Sequence, residues 1–275
     1  MSDAVIDASG PTFWRDDALP FIEARSVQDG RTVRYAKHWH ETFSIGLISR
    51  GRCHYINRAE TAQACAGTVV LMNPGDVHAC NPVHGEPWSY RMLYIDVRWL
   101  GTLQAAGGID SSHCFTPFAT IATTQPGLYD GLNRLFDVLT DPRIAHLQKQ
   151  SAAVSFMEMV HLRLGRGKSA HSKKLPRVTR AADFIRQNCT RSLRLEDICA
   201  EANLSPSHLI RAFKAVHGLT PHAYQLNCRI EFCRSQLRAG HAIADVALAA
   251  GFSDQAHFQR SFKKFVAATP GQYRA

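Results

Sequence analysis

The segment HLIRAFK at 208–214 returns as HFQRSFK at 257–263, and TPHAY at 220–224 returns as TPGQY at 269–273, both offset by 49 residues. A repeat of this kind obliges the chain to build one supersecondary unit twice. Each copy begins with a short amphipathic run, LEDICAEA or IADVALAA, followed by a turn at Asn203-Leu204 or Gly251-Phe252. Ser205 or Ser253 then stands where a helix N-cap is expected. Helix, tight turn and capped second helix make a helix-turn-helix motif, present twice. In the second copy Phe258, Phe262 and Phe265 recur at i, i+4 and i+7 as a stripe for burial, with Ala256, Gln259, Arg260 and Lys263 on the opposite side. In the first copy Leu209, Phe213 and Val216 take the inner positions, and Ser207, Arg211 and Lys214 the outer ones. The stretch PHAYQLNCRIEFCRSQLRAG between the copies predicts one long helix, ending at Gly240, that holds the motifs at a fixed distance. A polar, basic helix face suits a major groove, where arginine pairs with guanine and glutamine with adenine. One basic helical hairpin alone is usually just a solvated helix pair; the repetition is what points to DNA.

Charge is distributed to match. From residue 176 onward there are 14 Lys and Arg against seven Asp and Glu, and residues 163–175 add five basic groups with no acid. The rest of the chain carries 13 basic and 16 acidic residues, so the positive field belongs to the C-terminal part. The stretch GRGKSAHSKKLP at 165–176 reads as an exposed linker. Before it, residues 126–164 show helical apolar spacing, and upstream of about residue 100 short β-rich runs alternate with Gly, Pro and Asn turns. The sequence therefore predicts an α+β multidomain protein: a β domain over 1–125, a helical segment over 126–164, the linker, and an all-α domain over 177–275. The 275 residues, 45% of them hydrophobic, suffice for two cores. With neither a basic-apolar leader nor an apolar run approaching a membrane span, a cytoplasmic location is expected. The eight cysteines form no Cys-x-x-Cys pair and read as reduced, mostly buried thiols.

The run IADVALAAGFSDQAHFQRSFKKFVAATPGQYR closely resembles the signature of the AraC/XylS family of bacterial transcription regulators, a likeness covering about residues 177–274. The resemblance implies a monomeric seven-helix DNA-binding domain whose two recognition helices enter successive major grooves. Its base-reading face would comprise Ser207 and Arg211 in the first helix and Gln255, Ala256, Gln259 and Arg260 in the second, with Lys214 and Lys263 alongside. Ile210 stands where the family often has a polar reader, so the first helix reads less sequence or contacts a thymine methyl. Phe252, Ile198, Val246 and Pro270 match structural positions of the pattern.

HWHETFSIG at 38–46 and GTVVLMNPGDVHACN at 67–81 resemble the two motifs of cupins, double-sheet β-barrels common as effector domains in this family. By that resemblance His38, His40 and His78 converge, and three histidines can ligate zinc with an open fourth position. The glutamate of metal-binding cupins is missing from its usual offset; Glu41 follows His40 directly, and Asn73 replaces the first proline of the second motif. Arg34, Trp39, Trp88, Tyr90 and Arg91 join the three histidines as candidate effector contacts, offering aromatic walls and a carboxylate clamp for a small polar acid such as an amino acid. The expected function is a non-enzymatic, effector-responsive regulator that binds promoter DNA, works with RNA polymerase as an activator, and forms a homodimer through residues 126–164. The competing reading, a metal-dependent cupin enzyme with an appended helical domain, explains neither the repeat nor the charge split.

Overall fold

The computed structural model describes residues 10–83, 85–108, 113–164 and 175–274, so most of the expected linker at 165–176 lies outside the described residues. Nine strands precede the helical half among the described residues: β1 Thr12–Trp14, β2 Ile22–Val27, β3 Phe43–Arg50, β4 Arg52–Asn57, β5 Glu60–Cys65, β6 Val69–Met72, β7 His78–Pro82, β8 Ser89–Ile95 and the short β9 Ala122–Thr123. They form a six-stranded sheet in the order β1-β2-β8-β3-β6-β9 and a three-stranded sheet β5-β4-β7, the double-sheet arrangement that the cupin motifs implied.

The larger sheet is covered on both faces, which is why β6 reads as an uninterrupted VVLM, buried throughout. Phe43, Ile45, Leu47, Leu71 and Leu93 point to the outer face and pack against helices, while Ile48, Val70, Met72, Tyr90 and Met92 point inward toward the small sheet. The helices on the outer face are α1 Val97–Ala106, α2 Pro126–Thr140 and α3 His146–Leu164. Helix α1 begins at Asp96, whose carboxylate accepts from the amides of Arg98 and Trp99. Leu128, Leu132, Phe136, Phe156 and Val160, apolar positions behind the expected self-association, lie instead in the barrel's own outer core. Burial against the sheet accounts for this apolar pattern; Leu147 and Leu162 of α3 do remain exposed.

Seven helices follow among the described residues: α4 Pro176–Gln187, α5 Leu195–Ala202, α6 Pro206–His217, α7 Pro221–Arg238, α8 Ile243–Ala249, α9 Gln255–Val266 and α10 Pro270–Arg274. The predicted central helix is α7, and two cores form along it. Tyr224 and Cys228 join Leu209, Phe213 and Ile198 in one, and Ile230, Cys233 and Leu237 join Val246, Phe258, Phe262 and Phe265 in the other. Asn203 (φ 49°) and Gly251 (φ 75°) make the two turns in the left-handed region. A Cβ on Gly251 would stand 2.1 Å from the Thr190 carbonyl oxygen, so only glycine fits there. One cap differs from expectation: α9 is capped by Asp254, which accepts from the His257 amide, while the Ser253 hydroxyl donates to Asp254. A carboxylate one residue closer to the first turn outcompetes the hydroxyl for that amide, and its charge suits the helix N-terminus.

The halves are joined by specific polar contacts. Asn227 of α7 receives the Trp39 amide on Oδ1 at 3.0 Å and donates from Nδ2 to the Trp39 carbonyl at 2.8 Å. The Ala36 amide donates to the Lys264 carbonyl at 2.9 Å, and Arg15 Nη1 to that of Tyr273 at 2.7 Å. Trp39 and Val77 of the barrel are buried in the first core of the helical half. Asn227→Ala leaves both backbone groups of the buried Trp39 without that partner, so unfolding in urea should show a loss of about 2 kcal/mol. A change within error would show that the clamp contributes nothing to holding the halves together.

Candidate functional site

The nine positions predicted to face DNA are all solvent-exposed. Ser207, Ile210, Arg211 and Lys214 lie along one side of α6, and Gln255, Ala256, Gln259, Arg260 and Lys263 along one side of α9. The buried stripe fixes this orientation: Phe258 and Phe262 are 0% exposed, so the opposite face must look outward. Arg211 Nε makes a 3.3 Å hydrogen bond to the Ser207 carbonyl one turn back, whereas among the described residues Gln255, Gln259, Arg260 and Lys263 make no side-chain hydrogen bond. Uncommitted donors on a rigid helix are what base-edge recognition needs.

The second site is a chamber inside the barrel. His38, His40 and His78 meet there, with ring centroids 4.4 Å apart for His38 and His78, 4.7 Å for His40 and His78, and 6.2 Å for His38 and His40. The backbone of His38 pairs directly with that of His78, which places the first two histidines beside the start of β7. Each ring is oriented by its own chain. Nδ1 of His38 lies 2.9 Å from the Ala36 carbonyl, that of His40 3.0 Å from Thr42 and that of His78 2.7 Å from Asp76. A carbonyl can only accept, so each Nδ1 carries the proton and each Nε2 presents a lone pair. Ser44 Oγ sits 3.2 Å from the Nε2 of His40.

Burial is the main reason these rings stay neutral. It pushes His78 down to about 4 and holds His38 and His40 well below the ordinary imidazole range, with the neighbouring His78 ring and the cationic Arg234 and Arg25 acting in the same direction. Burial also raises the phenols of Tyr90 and Tyr94, the latter to about 12. The tautomers suit metal ligation, but among the described residues no group of three His, Cys, Asp or Glu side chains is disposed to hold a metal ion. Glu41 is exposed and lines the cleft outside.

Around the histidines lies a narrow chamber of about 30 Å³, walled by Tyr35, Trp88, Tyr90, Tyr94, Met72 and Met92. Cys53 and Cys80, with sulfurs 2.9 Å apart, are buried side by side on adjacent strands, Cys80 against the chamber. A neighbouring space of about 20 Å³ shares Tyr35, His38, His40 and Tyr94, and its roof is the helical domain: Asn227, Ile230 and Arg234 of α7, with Phe265, Val266 and Tyr273.

Trp88 and Tyr90 therefore line the cavity as expected, but three other candidates do not. Trp39 turns away and packs 5.4 Å from the Tyr224 ring in the helical domain. Arg34 is exposed and donates to the carbonyls of Arg31 and Val33. Arg91 faces outward because Tyr90 and Met92 face inward on the same strand, and it bonds Asn133 at 3.0 Å and Asp137 at 2.8 Å. The sequence reading missed Arg25, Tyr35, Tyr94 and Arg234. For Arg25 a signal existed: a charged residue at an inward position of the apolar strand IEARSV, every residue of which is buried.

A chambered cupin barrel roofed by a double helix-turn-helix domain defines a ligand-binding, DNA-binding protein. Comparison with known proteins agrees. The model of the AraC-like ligand binding domain matches residues 21–162, and that of a helix-turn-helix domain matches residues 198–275. The chain belongs to the AraC family of helix-turn-helix transcriptional regulators. It is 25% identical over 232 residues to the uncharacterized HTH-type transcriptional regulator YbfI of Bacillus subtilis (strain 168), covering 83% of this chain and 82% of that protein. It is also 25% identical over 269 residues to a longer uncharacterized HTH-type transcriptional regulator of Staphylococcus aureus (strain COL), covering 94% of this chain but only 34% of that one. Its fold is that of ToxT from Vibrio cholerae O395, with a TM-score of 0.55 at 12% identity over 96% of this chain and 97% of that one. No helix among the described residues is long and apolar enough to cross a membrane.

The neutral histidines give the fold a pH signature. Between about pH 4 and 6.5 the unfolded chain protonates His78 and the folded chain does not, so stability falls as pH drops through that window and the loss is complete below it. His78 alone accounts for about 3 kcal/mol of that loss. Urea midpoints should therefore drop between pH 7 and 5, and His78→Gln should show a shallower drop. An equally steep drop in the variant would place the titration elsewhere.

Proposed function

We propose that a small organic acid with an apolar body enters the chamber, hydrogen-bonds to the neutral His38, His40 and His78, and alters how the helical domain sits on the barrel, thereby changing promoter occupancy. The observation that carries this reading is that the space beside the chamber, which shares Tyr35, His38, His40 and Tyr94 with it, is roofed by α7 and the end of α9, the same helices that set the recognition surface. Solved ToxT structures of the same fold include complexes with an unsaturated fatty acid and with (E)-4-(8-methylnaphthalen-1-yl)but-3-enoic acid, and the aromatic and methionine walls here suit such a body. We further propose that the regulator acts as an activator in the cytoplasm, contacts RNA polymerase, and pairs with a second copy at adjacent sites, with the exposed Leu147 and Leu162 of α3 available for that contact. No catalysis is part of the proposal. A divalent metal held by the three Nε2 atoms is the second reading, favoured by the ring tautomers and disfavoured by the ring placement; a stoichiometric metal in protein purified without chelator would establish it.

Two recognition helices on one rigid domain should protect roughly 20 bp per chain, with contact centres about 34 Å apart on one face of the DNA. A protein-dependent extension to a second such footprint would mark the homodimer. Arg211→Ala and Arg260→Ala should each weaken specific binding by about 1–3 kcal/mol in a mobility-shift titration. Parental affinity in both, with folding intact, would exclude this face from the groove.

A further inference from the structure

Arg25 occupies an unusual position even among the buried charges of the chamber. It is 2% exposed, and it donates from Nη1 to the Val266 carbonyl at 2.6 Å. That carbonyl is the last of the recognition helix α9, so a barrel cation caps a helix C-terminus, where the dipole favours positive charge. The other edge of the guanidinium is poorly satisfied: neither Nε nor Nη2 meets an acceptor in good hydrogen-bond geometry, and a loose hydrogen bond with the Tyr94 hydroxyl helps to hold the charge. Its neighbouring cations are paired, Arg15 with Glu23 at 2.7 Å and Arg234 with Glu231 at 3.0 Å. Among the described residues Arg25 forms no salt bridge, and its charge rests on the faces of Phe13 at 5.1 Å, Tyr35 at 5.6 Å and Tyr90 at 5.9 Å. A buried cation with two parallel N–H donors poorly satisfied is costly unless something accepts from them.

We propose that the Nε–Nη2 edge of Arg25 is the anion subsite of the effector chamber, that it takes the carboxylate of a monocarboxylic acid with an apolar body, and that its occupation is transmitted to α9 through the Val266 contact. The proposal deepens the effector reading above and rests on it. The Nε–Nη2 fork matches a carboxylate bidentately. One bound negative charge balances one unpaired cation, whereas a phosphate dianion would leave excess negative charge near Glu23 and Glu231, which line the same space. His38, His40, Tyr35 and Tyr94 share that space with Arg25 and also line the apolar chamber. The two spaces are narrow, so a ligand body of several carbons must displace part of the roof. The roof residue bonded to Arg25 is Val266, so entry and release of the recognition helix are one event.

The test uses the full chain with butanoate, octanoate and dodecanoate and the corresponding primary alcohols, read by calorimetry and thermal shift, and by affinity for a DNA fragment selected from random sequence. At least one carboxylate should bind about tenfold or more tighter than its alcohol and change DNA affinity by about fivefold or more, and Arg25→Gln should abolish both preferences. Should the glutamine variant fail to fold, Arg25→Lys keeps the charge and one donor but not the fork, and should bind the carboxylate about tenfold more weakly than the parent. If no carboxylate outdoes its alcohol, or if both variants bind it like the parent, the subsite assignment is wrong. A carboxylate that binds through Arg25 without changing DNA affinity overturns the transmission to α9. The binding measurements involve no DNA, so a chain that failed to bind any DNA would refute the regulator reading separately.

Discussion

The packing of α7 is the constraint on which the remaining geometry rests. One face of this 18-residue helix belongs to two cores at once, through Tyr224 and Cys228 toward the first helix-turn-helix and Ile230, Cys233 and Leu237 toward the second. Because side chains in a close-packed core have little room to shift, the two recognition helices inherit a fixed separation from it. Its remaining face carries Asn227 and Arg234 to the barrel, so it also sets where the DNA-binding half sits over the chamber. Moving α7 as a rigid body is thus the economical way for the barrel to influence DNA, since any smaller motion would have to break a core.

Polar burial at this junction is extensive for a contact between domains. Glu23, Arg25, Asn227 and Arg234 are all nearly inaccessible, and each depends on partners from both halves of the chain or on aromatic faces. Such groups gain little net stability from being buried, but they are intolerant of misalignment, because an unpaired buried charge is expensive. An interface of this kind has few acceptable geometries and switches between them rather than deforming gradually, which is a useful property for a sensor.

The two halves of the site were unequally legible in the sequence. The exposed face of the second recognition helix was readable because it follows from local periodicity: once Phe258, Phe262 and Phe265 face inward, Gln259, Arg260 and Lys263 cannot. The three histidines were readable for a related reason, since short motifs place them on neighbouring strands. The remainder of the chamber depends on contacts between residues far apart in the chain. Arg25 meets a carbonyl 241 positions away, and Trp39 abandons the barrel for a core built from residues beyond 175. No local pattern encodes such meetings. Arg91 was misassigned by its neighbourhood to aromatic residues, when the alternation of its own strand already turned it outward. Helix α1 was hidden because the apolar run of β8 continues into it, and only Asp96, at its cap, marks the boundary.

The two motifs are related by repetition along one polypeptide, and they are not identical. Where the first recognition helix exposes Ile210, the second exposes Gln259, and they meet the barrel differently, the first by apolar contact of its C-cap Gly218 with Val77 and the second through the Lys264 and Val266 carbonyls. A dimer of single-motif subunits has a two-fold axis and is matched by a palindrome that looks the same from either direction. This chain has no such axis. Its target on DNA is an asymmetric word with a beginning and an end, so inverting that word would turn the barrel, and whatever it touches, to face the opposite way along the chromosome.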